Sequence, residues 1–98
     1  MDGLVSLSDY PNYFINQKGE VFKLYNSEKL KKLSIFVDDY GYNRVSLRRE
    51  NGSMCVQMVH RLVYKTFVGN LGNSKLIFLD GNRSNCNVEN LKKKDWDN

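Results

Sequence analysis

The sequence predicts an α+β fold in one domain, residues 1–98: a small antiparallel β-meander over residues 10–58, a helix–strand–loop core over residues 59–91 and a basic tail over residues 92–98. Three observations lead to it. Gly, Asn and Asp residues that favour turns break positions 10–58 into short segments. Within them, Tyr42 to Arg49 alternates apolar and polar side chains with the period of two that a half-buried strand requires. From Val59 the period lengthens to that of a helix, with Val59, Leu62, Val63 and Phe67 at i, i+3, i+4 and i+8.

Taken in order, residues 1–11 are a lead-in closed by Tyr10-Pro11, where proline fixes φ and favours an extended or turn backbone. Asn12–Asn16 is a short aromatic strand, Gln17-Lys18-Gly19 a turn, and Glu20–Tyr25 the returning strand. Asn26-Ser27-Glu28 turns again. Leu30–Phe36 reads as a third strand, although EKLKKLSIF also fits a helical period. Asp38-Asp39-Tyr40-Gly41 turns into Tyr42–Arg49, with Val45 and Leu47 directed inward and Arg44, Ser46 and Arg48 outward. Asn51-Gly52, both tolerant of positive φ, predicts a tight hairpin to Ser53–Met58. About five strands are expected in this part. The helix from Val59 ends at Gly69-Asn70, and Leu76–Leu79 is a buried strand. Asp80-Gly81-Asn82 turns sharply. Asn87 caps the short helical turn Val88-Glu89-Asn90, which leads into Leu91 and a tail that is polar apart from Trp96.

Composition narrows the function classes. The chain is 41% hydrophobic and 12% aromatic with one proline, which supports a packed core. Fifteen Lys/Arg against eleven Asp/Glu give a net charge of +4, a mild pull toward nucleic acid or another acidic surface. Cys55 and Cys86 form neither a disulfide framework nor a CxxC pair, and they read as reduced, half-buried thiols. No apolar run approaches a membrane span, and MDGLVSLSDYPNYF lacks the features of a signal peptide. The expectation is a soluble protein in the cytoplasm of the host cell, with no cofactor and no small-molecule substrate.

A wider pattern then emerges. Val59-His60-Arg61-Leu62-Val63, Phe67, Leu79-Asp80-Gly81-Asn82, Asn85, Asn87 and Asn90-Leu91 together resemble the HNH endonucleases of phage homing type. Upstream, Asn12–Asn16 with Gly19-Glu20-Val21 resembles a Y-x-V-S-N-x-G-x-V segment often joined to them, and Gly41-Tyr42, Val45 and Leu47 match a G-Y-x-x-V-x-L strand. The resemblance runs from Tyr10 to Leu91. It implies an antiparallel meander followed by an HNH (ββα-metal) motif, here degenerate and truncated. In the family, the two residues before L-D-G-N supply a metal ligand and the histidine that activates water; here they are Ile77 and Phe78. Neither can serve as ligand or base. The resemblance therefore leads us to expect no metal and no enzyme, but a catalytically inactive phage or mobile-element protein that keeps DNA binding.

The residues expected at a DNA or partner interface are Arg44, Arg48, Arg49, Arg61, Lys65, Arg83, Lys92 and Lys93. Arg44 and Arg48 share a strand face that could follow phosphates, and Arg48-Arg49 end a hairpin edge. Tyr25, Tyr40, Tyr42 and Tyr64 add aromatic surface suited to DNA or protein. His60, the single histidine, reads as a helix-start residue bonded to a backbone carbonyl. Asp80, Asn82, Asn85, Asn87 and Asn90 read as caps of turns rather than as a cation loop. The expected partner is double-stranded DNA. The alternative is a host defence protein, bound by an inhibitor of anti-CRISPR or anti-restriction type.

Overall fold

The computed structural model describes residues 3–26, 28–72 and 74–94. Ser27 of the second predicted turn, and Trp96 with the rest of the tail past Lys94, lie outside them. Three hairpin turns share one construction, which comes directly from the sequence. At Asn16–Gly19 and at Asp38–Gly41 the glycine N–H donates to the carbonyl of the first turn residue, at 3.1 Å in both. The first residue's own N–H then bonds the carbonyl of Glu20 (3.1 Å) or Tyr42 (2.9 Å). The Asx side chain completes the turn: Asn16 Oδ1 accepts from the N–H of Lys18 and Glu20, and Asp38 Oδ1 from Tyr40 and Tyr42. Arg49–Gly52 repeats the backbone pattern. There only Gly52 takes positive φ (+91°), so the connection is a three-residue loop with a left-handed glycine, not the predicted Asn-Gly pair. Asn51 Oδ1 instead accepts from Ser53 N–H and Oγ–H.

These turns organise three antiparallel sheets. The first orders β1 (Val5–Ser6), β2 (Tyr13–Ile15), β3 (Val21–Tyr25) and β4 (Lys29–Lys32) side by side. The second holds β5 (Phe36–Val37), β6 (Asn43–Arg48) and β7 (Met54–Met58). The third pairs β8 (Leu76–Phe78) with β9 (Leu91–Lys93). The single meander of about five strands is thus seven strands in two sheets. Val5–Ser6, expected to be lead-in, pairs with Ile15 and Phe14. The predicted strand Leu30–Phe36 is broken, because Leu33 and Ile35 turn toward the core and carry the chain from the first sheet to the second. Lys92 and Lys93 belong to a strand, not a tail.

Helix α1 (Val59–Phe67) follows β7 without a linker and buries Val59, His60, Leu62 and Val63. Its apolar face meets Ile15 and Val21 of the first sheet and Val45 and Leu47 of the second in one core. That inward pair on β6 is as the alternation predicts, at 1% and 0% exposure. Leu71, in the segment after the helix, is also fully buried. Cys86 is buried rather than half-buried, and burial pushes its thiol up to about 11.

Gly19 is where the first hairpin meets both the helix start and the 79–90 loop. A Cβ built there would lie 2.9 Å from Cys86 Cβ and 3.2 Å from Val59 Cγ1, and the residue has φ +87°. The neighbouring Gln17 carbonyl accepts from Val88 N–H at 2.8 Å. Gly19→Ala adds left-handed strain to overpacking against backbone-anchored atoms. It is expected to lower the stability measured by urea denaturation by about 2–4 kcal/mol.

Candidate nucleic-acid interface

The turn from β7 into α1 places His60 at the second helical position, 5% exposed. Its ring stacks on Tyr42 (centroids 5.4 Å apart, 24° between planes) and meets Phe78 of β8 at 5.0 Å. Its Nδ1 is buried without a hydrogen-bond partner, so the predicted bond to a backbone carbonyl is not what holds it. Aromatic contact does. Burial, and then the nearby Arg61 charge, push the imidazole down to about 4. The Arg83 guanidinium also lies over the Tyr42 ring, 4.8 Å from its centroid, and Arg83 Nη1 donates to the Tyr40 carbonyl. Tyr42 is therefore an internal spacer rather than free surface, and Tyr64 packs against the core. Tyr40 and Tyr25 are exposed as expected.

The loop between β8 and β9 is closed by its Asx residues. Asn90, 8% exposed, accepts from Asp80 N–H and donates through Nδ2 to Asp80 Oδ1 and to the Asn85 carbonyl, each at 2.9 Å. Asn85 Nδ2 and Asn82 N–H also donate to Asp80. The Asn85 amide, the Asn82 N–H and the Asn90 amide together hold the Asp80 carboxyl below its ordinary value. Asn82, Asn85 and Asn87 each accept from the N–H two residues on. The capping reading of this cluster stands.

These residues also answer whether a divalent metal fits. Asp80's oxygens already receive three side-chain and backbone donors, and Ile77 and Phe78 carry none of the required atoms. No group of three His, Cys, Asp or Glu converges among the described residues. The donor set present does not fit a metal by itself.

The predicted basic set divides in two. Arg44 Nε contacts Asp38 Oδ2 at 2.6 Å. Desolvation would raise the Asp38 carboxyl, but Arg44 and the N–H groups of Tyr42 and Tyr40 outweigh it and hold it low. Arg61 reaches the Ser74 carbonyl at 3.4 Å, and Arg83 is engaged as described. These three arginines tie loops to the framework. Arg49 Nη2 lies 3.2 Å from Cys55 Sγ, a thiol that also receives Gln57 Nε2 and Tyr10 Oη and whose pKa is lowered by those contacts, that of Gln57 first. Arg48, Lys65, Lys92 and Lys93 are exposed, and their side chains make no hydrogen bond or ion pair among the described residues. Lys23, outside the predicted set, joins Arg48 and Arg49 around one cleft. Its place at an alternating position of Val21–Tyr25 was the signal available for it.

Two antiparallel sheets packed on a helix, followed by a β-hairpin that encloses an Asx-braced loop, make this an α+β chain. The comparisons supply its type: residues 57–92 match the HNH endonuclease family, and in sequence and fold this is an HNH-type endonuclease-like chain. It is 36% identical over 94 residues to "Uncharacterized HNH endonuclease L247" of Acanthamoeba polyphaga mimivirus, an alignment that covers 94% of this chain and 23% of that protein. Its fold matches the structure described as "DNA binding and cleavage by the HNH homing endonuclease I-HmuI" with a TM-score of 0.80 and 27% identity, over 93% of this chain and 51% of that one. The chain thus spans about a quarter and about half of these two proteins.

The comparisons correct the expectation that the chain is no enzyme. The matched family model, the mimivirus relative and the solved structure are all named or described as HNH endonucleases. Ile77 and Phe78 are two positions in a chain that spans 51% of its structural relative, and they do not decide the chemistry of the whole protein. Among the described residues, no helix is long and apolar enough to cross a membrane.

Two measurements test this account of the site. The unfolded chain protonates its imidazole near pH 6.5 and the folded chain near 4. Because the unfolded state then binds more protons, stability is full above that window and falls as pH drops through it, by about 2 kcal/mol after allowing for partial screening. His60→Phe should flatten the profile of urea midpoint against pH. Asn90→Ala leaves Asp80 N–H and the Asn85 carbonyl without their partner, and should cost about 2–3 kcal/mol in the same assay.

Proposed function

We propose that this chain binds double-stranded DNA as part of an HNH-type endonuclease. The observation that carries the reading is the fold likeness, over 93% of the chain, to a homing endonuclease described by DNA binding and cleavage. A net charge of +4 and the exposed cations Arg48, Arg49, Lys65, Lys92 and Lys93 support it. Cations held on strand and helix ends neutralise backbone phosphates and release condensed counterions, which supplies affinity without sequence readout. In this reading Arg44, Arg61 and Arg83 contribute by fixing the loops that carry or flank those cations.

The test is a fluorescence-anisotropy titration of a labelled random duplex with Mg²⁺ present, run across a salt series and followed by electrophoresis of the duplex. Binding should weaken steeply, with a slope in log–log form of about 0.9 per phosphate neutralised. Shortening of the duplex would extend the reading to cleavage by this chain alone. Absence of binding at low salt overturns DNA as the partner, and a pull-down for a stoichiometric protein complex then tests the host-protein alternative.

A further inference from the structure

Where the first sheet meets the β6–β7 hairpin there is a cleft of about 200 Å³, to which Asn12, Tyr13 and Lys23 contribute from one side and Arg48, Arg49 and Glu50 from the other. We propose that this cleft is a clamp for a backbone phosphate of duplex DNA, with Lys23 and Arg48 as its principal contacts. The inference rests on the DNA-binding reading and deepens it by naming a site outside the 59–91 core.

Charge is the first argument. Three cations line the cleft against one carboxylate, and none of the three forms an ion pair among the described residues, where the ion pairs are Lys32–Glu20 and Arg44–Asp38. Register sharpens the imbalance, because Lys23 stands directly opposite Lys31 across β3 and β4. Like charges in that relation repel, and a bound anion relieves the repulsion.

Pre-organisation is the second argument. Lys23 Nζ is held over the rings of Tyr13 (5.4 Å) and Tyr25 (5.0 Å), which strip part of its water and limit its rotamers. The Arg48 N–H donates to Tyr13 Oη at 3.1 Å, and Tyr13 is 3% exposed. That bond pins the second sheet to the first at the base of the cleft. The Asn12 carbonyl is fixed in turn by the Leu24 N–H at 2.8 Å. The Arg48 side chain, by contrast, has no partner of its own, and its planar fork of donors matches phosphate oxygens. A hydrogen-bonded pair of walls bearing an unengaged guanidinium and a ring-held ammonium is what phosphate positioning needs.

The experiment is the salt series with a random-sequence duplex, repeated on the chain carrying Lys23→Gln, Arg48→Gln, both together, Arg48→Lys and Glu50→Gln, each checked for its wild-type circular dichroism. Each charge removal should make the slope of log affinity against log salt less steep by about 1, and the double variant by about 2, with equal effect on unrelated sequences. Arg48→Lys should keep the wild-type slope. Glu50→Gln should tighten binding at low salt, a gain that no loss of folding can imitate. Wild-type binding with an unchanged slope in the double variant overturns the clamp and leaves the DNA reading intact. Unchanged or weaker binding by Glu50→Gln also counts against the clamp, and absence of wild-type binding overturns both.

Discussion

The close approach at Gly19 ties together parts of the chain that are far apart in sequence. The β2–β3 turn, the first residue of α1 and the loop between β8 and β9 meet within 2.9–3.2 Å of the place where a side chain would begin. Each partner is fixed by something else. The turn is closed by Asn16, Val59 is fully buried at the helix start, and Cys86 sits inside a loop braced by Asp80 and Asn90. Glycine is needed twice over, for the positive φ that closes a three-residue loop and for the space. An isolated hairpin would need only the first. The first sheet, the helix and the third sheet can therefore share one core only while this contact stays as short as it is.

The aromatic stack does for the second sheet what Gly19 does for the first. Arg83, Tyr42, His60 and Phe78 run in sequence from the Asx loop through the β5–β6 turn to the helix start and β8. On β8 the alternation puts Ile77 outward, at 40% exposure, and Phe78 against the core. Packing alone accounts for a phenylalanine there, since its ring covers a neutral imidazole whose Nδ1 has no polar partner. Its presence is thus evidence about how this segment is stabilised, and reading it as a statement about catalysis asked too much of one position.

What was legible in the sequence was local. The alternation in Tyr42–Arg49, the helical spacing from Val59, the Asx–Gly turns and the cap at Asn87 each follow from chemistry within a few residues, and each is present. What was not legible depends on contacts between distant segments. Val5–Ser6 becomes a strand only because Phe14 and Ile15 offer an edge. Leu71, flanked by Gly and Asn, looks like linker and is 1% exposed. The Leu30–Phe36 run breaks because Leu33 and Ile35 are drawn to the core on the way between two sheets, a demand no window of that run expresses. The site was half legible for the same reason: residue type marks a cation, but only its neighbours say whether it is already engaged.

That distinction bears on how a chain of modest net charge can present a strong local field. Of the arginines singled out by the sequence, Arg44, Arg61 and Arg83 direct their donors to Asp38, to a carbonyl of the 71–74 segment and to the β5–β6 turn. Their charge is partly neutralised or turned inward, and their contribution is geometric. Exposed and unengaged cations, by contrast, act at full strength within a Debye length, about 8–10 Å in ordinary buffers. Lys23, Arg48 and Arg49 line one junction between sheets, none of them in an ion pair among the described residues and Arg48 with its side chain unengaged, with Glu50 as the carboxylate at the cleft. A net charge of +4 spread evenly would be a weak attractor, whereas part of that surplus gathered where two sheets meet makes a directed one. The fold's division into two sheets, which the sequence did not disclose, is what creates that junction.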